Sequence, residues 1–98
     1  MSDTDPKTPK RVSADDLRDF IARALVSLGL PSADAVDCGR LMVDSDLAGF
    51  HTHGTFRLSQ YIKRIGAGGI NVTPNITTVT EAPATAVVDG DNAMGHLV

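Results

Sequence analysis

Leu58-Ser59-Gln60-Tyr61-Ile62-Lys63-Arg64-Ile65-Gly66-Ala67-Gly68-Gly69 is where the periodicity of the chain changes. Leu58, Tyr61, Ile62 and Ile65 recur at i, i+3, i+4 and i+7, the spacing of one helix face. Lys63 and Arg64 suit the negative C-terminal end of a helix dipole. Gly66 is expected to stop that helix, and Gly66–Gly69 makes a flexible break. Beyond the break the pattern is extended. Helices before it and strands after it predict an α+β fold class, three N-terminal helices followed by two β-strands.

The upstream helices have their own punctuation. Ser13-Ala14-Asp15-Asp16 places a capping hydroxyl and two carboxylates at a helix start, where free N–H groups and the positive dipole end favour them. Leu17, Phe20, Ile21, Ala24, Leu25 and Leu28 then form an apolar face. Gly29 is suited to the left-handed closing conformation, Leu30 folds back on the last turn, and Pro31 prevents continuation. A second helix is expected from a Ser32 cap to about Leu47, with Val36, Gly39, Val43 and Leu47 on one face, widened by Leu41 and Met42, and Gly49 as its end signal. The third begins between Thr52 and Thr55.

Downstream, Ile76–Glu81 and Thr85–Asp89 are β-rich, with Ala82-Pro83-Ala84 as the turn or edge between them. Asp89-Gly90-Asp91-Asn92 is a further turn signal. Residues 93–98 read as the opening of another element that stops without a cap, so a truncated domain is expected. The organisation is therefore a frayed tail over 1–12, a helical segment over 13–66, and the start of a β-containing domain over 67–98.

Composition narrows the class. In 98 residues the net charge is −3 with both signs scattered, which lacks the basic patch of a nucleic-acid binder. The polar start of the chain has no apolar core of a signal peptide or membrane span. A cytoplasmic address follows as the default, and the triplets at Asn71 and Asn75 are expected to be accidental rather than glycosylated. The single Cys38 cannot form an internal disulfide and suits a small buried apolar position in a reducing compartment. The four aromatic rings, Phe20, Phe50, Phe56 and Tyr61, leave an aliphatic core.

Chemistry concentrates in Leu47-Ala48-Gly49-Phe50-His51-Thr52-His53-Gly54-Thr55-Phe56-Arg57. If Gly54 opens the third helix, His53 and Arg57 stand about one turn apart on the same face. Free N–H groups and the positive dipole end would make that face receptive to an anion. A 2-oxo acid suits the pair. Its planar carboxylate matches the two-pronged guanidinium, and its carbonyl oxygen needs a proton when hydride arrives, which an imidazolium can supply.

Two other classes remain open at this point. His51 and His53, completed by His96, Asp44 or Asp46, could form a metal-dependent hydrolase site. The aliphatic helix stripes could equally serve a non-catalytic helical interaction domain. Nucleotide motifs are absent: Gly66, Gly68 and Gly69 follow a helix and do not give G-x-G-x-x-G, and Gly90–Gly95 is followed by His96 and Leu97 where a P-loop needs Lys and Ser/Thr.

Asp46-Leu47-Ala48-Gly49-Phe50-His51-Thr52-His53-Gly54-Thr55-Phe56-Arg57 with Tyr61 resembles the signature of the malate/L-lactate dehydrogenase family. That family also includes ureidoglycolate, sulfolactate and diketogulonate oxidoreductases, and shows a Ser-His-Gly-x-x-Arg core. Arg64, Ala67-Gly68-Gly69-Ile70-Asn71, the Pro74 region, and Thr85–Asn92 followed by Gly95-His96 extend the resemblance over residues 13–98. It implies a catalytic acid/base at His53, a substrate-carboxylate contact at Arg57, and a hydroxyl at Thr52 in place of the family's usual serine. His51 falls where the family varies and receives no catalytic role. The resemblance further implies NAD or NADP in a fold other than Rossmann, a homodimer, and a longer chain holding the cofactor contacts. Metal is not part of the implied site, and the 98-residue stretch alone is expected to be inactive.

Overall fold

The computed structural model describes residues 11–98. The expected tail therefore lies outside the described residues, apart from Arg11 and Val12. Three helices, α1 (Ala14–Ser27), α2 (Ser32–Leu47) and α3 (Leu58–Gly66), precede one antiparallel hairpin, β1 (Thr77–Ala82) and β2 (Thr85–Asp89). The α+β architecture is as expected.

Ser13 caps α1, its Oγ accepting the Asp16 N–H at 3.4 Å. After α1, Gly29 adopts φ 108° and the Leu30 N–H reaches back to the Leu25 carbonyl at 3.2 Å. This closes the helix and buries Leu30 against it. The same pattern ends the other two helices: Phe50 N–H to Ser45 O at 2.8 Å across Gly49, and Gly69 N–H to Arg64 O at 2.8 Å across Gly68. Gly66 is thus the last residue of α3 rather than its stop, because the left-handed position falls at Gly68. The cap of α2 also differs from expectation. Pro31 holds that place, Ser32 is the first helical residue, and no side chain caps the end.

α1 and α2 pack antiparallel, Gly39 meeting Ala22 and Asp44 meeting Arg18. The crossing is close at Gly39, where a Cβ would stand 2.9 Å from the Arg18 carbonyl oxygen. That contact sets which face of α2 turns inward. The buried stripe is Ala35, Cys38, Gly39, Met42 and Val43, while Val36 and Leu47 are 54% and 67% exposed. Gly39, Met42 and Val43 are inward as expected, whereas Val36 and Leu47 face out and Ala35 and Cys38 take the inward positions beside them. Phe20 on α1 is likewise exposed.

Ile21, Leu25, Leu30, Ala35, Cys38, Met42, Val43, Leu58 and Met94 form one aliphatic core. Met94 closes it from the far end of the chain, where Gly95–Leu97 form a 3-10 turn. Burial, reinforced by Asp34 and Asp37, pushes the Cys38 thiol up to about 11. It behaves as a core residue.

The hairpin starts at Thr77 and takes Ala82 into β1, leaving Pro83-Ala84 as a two-residue turn. A bulge falls between Thr78 and Thr80. Every residue of both strands is exposed, and Val79 and Val87 are 64% and 58% exposed. Asp91 and Asn92 turn the chain out of β2 with positive φ, and the Asp91 carboxylate accepts from Asn71 Nδ2 at 3.0 Å and the Asn75 N–H at 2.8 Å.

Candidate functional site

Because Gly49 reverses the chain, the segment after α2 runs back along the last turns of that helix. It does not open α3 directly. Two 3-10 turns, His51–His53 and Thr55–Arg57, intervene before the helix begins at Leu58. Their backbone bonds are short-range: His53 N–H to Phe50 O at 3.0 Å, Gly54 N–H to His51 O at 3.3 Å and Arg57 N–H to Gly54 O at 3.0 Å. The expected arrangement of His53 and Arg57 on one helical face is therefore replaced by two tight turns hinged at Gly54.

Thr52 contacts both residues, through its hydroxyl on one side and its main-chain carbonyl on the other. Its Oγ1 lies 3.0 Å from His53 Nδ1, and its carbonyl oxygen accepts from Arg57 Nε at 2.7 Å. Arg57 is steadied on its other side, Nη1 donating to Gln60 Oε1 at 2.9 Å. Two acceptors aim the guanidinium and leave N–H groups on Nη1 and Nη2 for an end-on approach by a planar anion. His53 is exposed and Arg57 half-buried, so both are open to a small molecule. His51, Thr52, His53 and Arg57 lie in one continuous loop.

The anion expected at the start of the third helix is already supplied by the protein. Asp46, whose side chain is only 20% exposed, accepts the Thr55 N–H at 3.1 Å and the Thr55 hydroxyl through the same oxygen, Oδ2. Its other oxygen lies 3.6 Å from His51 Nδ1. Gly54 packs on this carboxylate. A Cβ there would collide with Asp46 and stand 2.9 Å from the Met42 carbonyl oxygen. Glycine is required by contact rather than by backbone angle, since its φ is −101°. Thr55 and Gln60 were not given a role from sequence, and Asp46 was named only as a possible metal ligand beside His51 and His53 and as the head of the motif. A signal existed for Asp46, an acidic residue heading the motif, but the nine-residue gap to Thr55 gives no local geometry.

His96 sits apart. It packs edge-on against Tyr61, with ring centroids 5.5 Å apart, and its Nδ1 is buried without a partner. Burial lowers its pKa below the ordinary histidine value. Among the described residues no three His, Cys, Asp or Glu side chains come together to hold a metal ion. The hydrolase reading is not favoured: Asp46 is engaged with Thr55, and His96 lies against α3.

The family model of malate/L-lactate dehydrogenase matches residues 12–98, nearly the whole described chain. The chain belongs to the malate/L-lactate dehydrogenase family. Its similarity to other members of this family is substantial: 41% identity over 88 residues with a malate dehydrogenase of Pyrococcus horikoshii, covering 90% of this chain. An L-sulfolactate dehydrogenase of Methanocaldococcus jannaschii is 41% identical over 93 residues. A ureidoglycolate dehydrogenase (NAD(+)) of Escherichia coli is 31% identical over 87. The solved malate dehydrogenase structure from Pyrococcus horikoshii superposes with a TM-score of 0.84 over 90% of this chain. The Methanocaldococcus jannaschii sulfolactate dehydrogenase gives 0.83 over 88%. The chain spans about a quarter of the length of these relatives, 24% and 25% for the first two.

Proposed function

We propose that the protein carrying this chain transfers hydride reversibly between NADH or NADPH and a small 2-oxo acid, giving the 2-hydroxy acid, with malate and lactate as the type substrates. The observation that carries the reading is Thr52 joining His53 to Arg57, 3.0 Å on one side and 2.7 Å on the other. A carboxylate on the Arg57 fork would hold the neighbouring carbonyl near the imidazole, and positioning of this kind removes much of the barrier to a bimolecular step.

In this reading Arg57 binds the substrate carboxylate through its end-on N–H pair. His53 gives a proton to the carbonyl oxygen as negative charge develops there, and takes it back in the oxidative direction. Thr52 orients both. The bound nicotinamide supplies the hydride. The His53 and Arg57 side chains suit the substrate side of this chemistry, and the Gly68 and Gly69 N–H groups are spent on the carbonyls of Ile65 and Arg64 rather than offered to a phosphate. From the family resemblance we further propose that most cofactor contacts lie in the rest of a full-length protein, in a fold other than Rossmann, working as a homodimer.

The test is a cofactor-oxidation assay of the full-length protein against oxaloacetate, pyruvate and related 2-oxo acids, with His53→Asn beside the unaltered protein. Loss of turnover in His53→Asn with cofactor binding retained is the expected result. Turnover within about twofold of the parent would overturn the role of His53.

A further inference from the structure

We infer that Asp46 is a positioning residue for the site, acting through Thr55 to hold the His51–Arg57 loop in its reactive shape. The inference rests on the reading of His53 and Arg57 given above. Three features single Asp46 out. It stands on the last turn of α2, a rigid element packed in the core, whereas the residues it holds lie in two 3-10 turns. One carboxylate oxygen takes both polar groups of Thr55, the N–H and the hydroxyl. Gly54, between His53 and Thr55, is pressed onto the other oxygen so closely that no side chain fits.

The consequence is mechanical. Thr55 opens the turn that ends in Arg57, and Gly54 follows His53 directly, so the two functional side chains leave the loop on either side of the Asp46 anchor. Short 3-10 turns have poor hydrogen-bond geometry and hold their shape weakly by themselves. A charged acceptor makes the stronger kind of hydrogen bond to the Thr55 donors, and its low exposure shields it from water. Without it the loop would keep its local backbone bonds and the contacts of Thr52 and Gln60 but lose its side-chain anchor on α2, and the separation between imidazole and guanidinium would vary. A displacement of about 1 Å in a reacting group can cost roughly 100-fold in rate.

Asp46→Ala, Asp46→Asn, Thr55→Val and Arg57→Ala in the full-length enzyme, assayed with oxaloacetate at saturating nicotinamide cofactor, test this. Asp46→Ala is expected to lower kcat/KM for oxaloacetate by about 100-fold, with the KM for the cofactor unchanged within about twofold. Asp46→Asn keeps a carbonyl oxygen for the Thr55 donors and should recover most of the activity. Thr55→Val, which keeps the shape and loses the hydroxyl, should fall between. A purely structural role would lower thermal stability and leave the two KM values in their original ratio. If Asp46→Ala stays within about threefold of the parent while Arg57→Ala is crippled, the positioning role is wrong and the site reading stands. If Arg57→Ala is itself unaffected, both are wrong. Should Asp46→Ala not fold, Thr55→Val decides, and parental kinetics in that variant overturn the inference.

Discussion

The Thr52 hydroxyl lies 3.0 Å from Nδ1 of His53, within hydrogen-bond reach of either tautomer of the imidazole. When the hydroxyl donates, the proton sits on Nε2; when Nδ1 donates, Nε2 is free to accept. In the proposed mechanism the contact would bear on proton transfer in both directions. Thr52→Ser keeps the hydroxyl and should retain kcat within about twofold, whereas Thr52→Val should lower it about fivefold to tenfold, the worth of one lost hydrogen bond. Steady-state kinetics of the full-length protein measure the difference.

Arg57→Lys replaces a planar guanidinium aimed by two acceptors with an ammonium that lacks the two-pronged fork. The expected effect is a rise of about tenfold or more in the KM for a 2-oxo acid, with a smaller change in kcat. Unchanged kinetic constants would refute the carboxylate-anchor role.

Gly54→Ala should destabilise the full-length protein by about 2 kcal/mol or more, since the new methyl meets the Asp46 carboxylate and the Met42 carbonyl rather than a pliant side chain. Gly95→Ala is the control. Nothing lies within 4 Å of a Cβ there, and thermal unfolding should separate the two variants clearly.

His96 predicts an acid-side loss of stability. Burial lowers its folded pKa, so the unfolded chain takes up a proton at higher pH than the folded one. Its contribution is fully present above the ordinary histidine range and is lost as pH falls through that range toward the lowered folded value. Unfolding midpoints measured between pH 8 and pH 5 should fall, and His96→Gln should flatten the slope.

The 98 residues expressed alone should show no turnover and a broad, concentration-dependent unfolding transition. The hairpin is exposed on both faces, and an isolated two-stranded hairpin is marginal in water. A sharp transition independent of concentration, followed by scanning calorimetry at two protein concentrations, would contradict this.

Element identity was legible because it is written in local periodicity and punctuation. The α1 cap at Ser13, the left-handed Gly29 and the two strands were readable within a few residues of where they lie. Faces were less so. A stripe read from hydrophobicity placed Gly39, Met42 and Val43 correctly but also took in Val36 and Leu47, which face out while Ala35 and Cys38 are buried. The start of α3 was also misplaced: the Asp46 carboxylate nine residues upstream stabilises two 3-10 turns in place of a continuous helix.

By itself the amino-acid sequence determined the order of elements, the switch from helix to strand at Gly66–Gly69 and the motif from Asp46 to Arg57. These depend on neighbours within a turn or on an ordered run of residue types. Only the tertiary structure decided how the motif is held. It made Thr52 the link between His53 and Arg57 and placed Asp46 beneath Gly54. Such contacts arise when the chain reverses at Gly49 and packs back on α2, and no local spacing encodes the distance that reversal brings to zero.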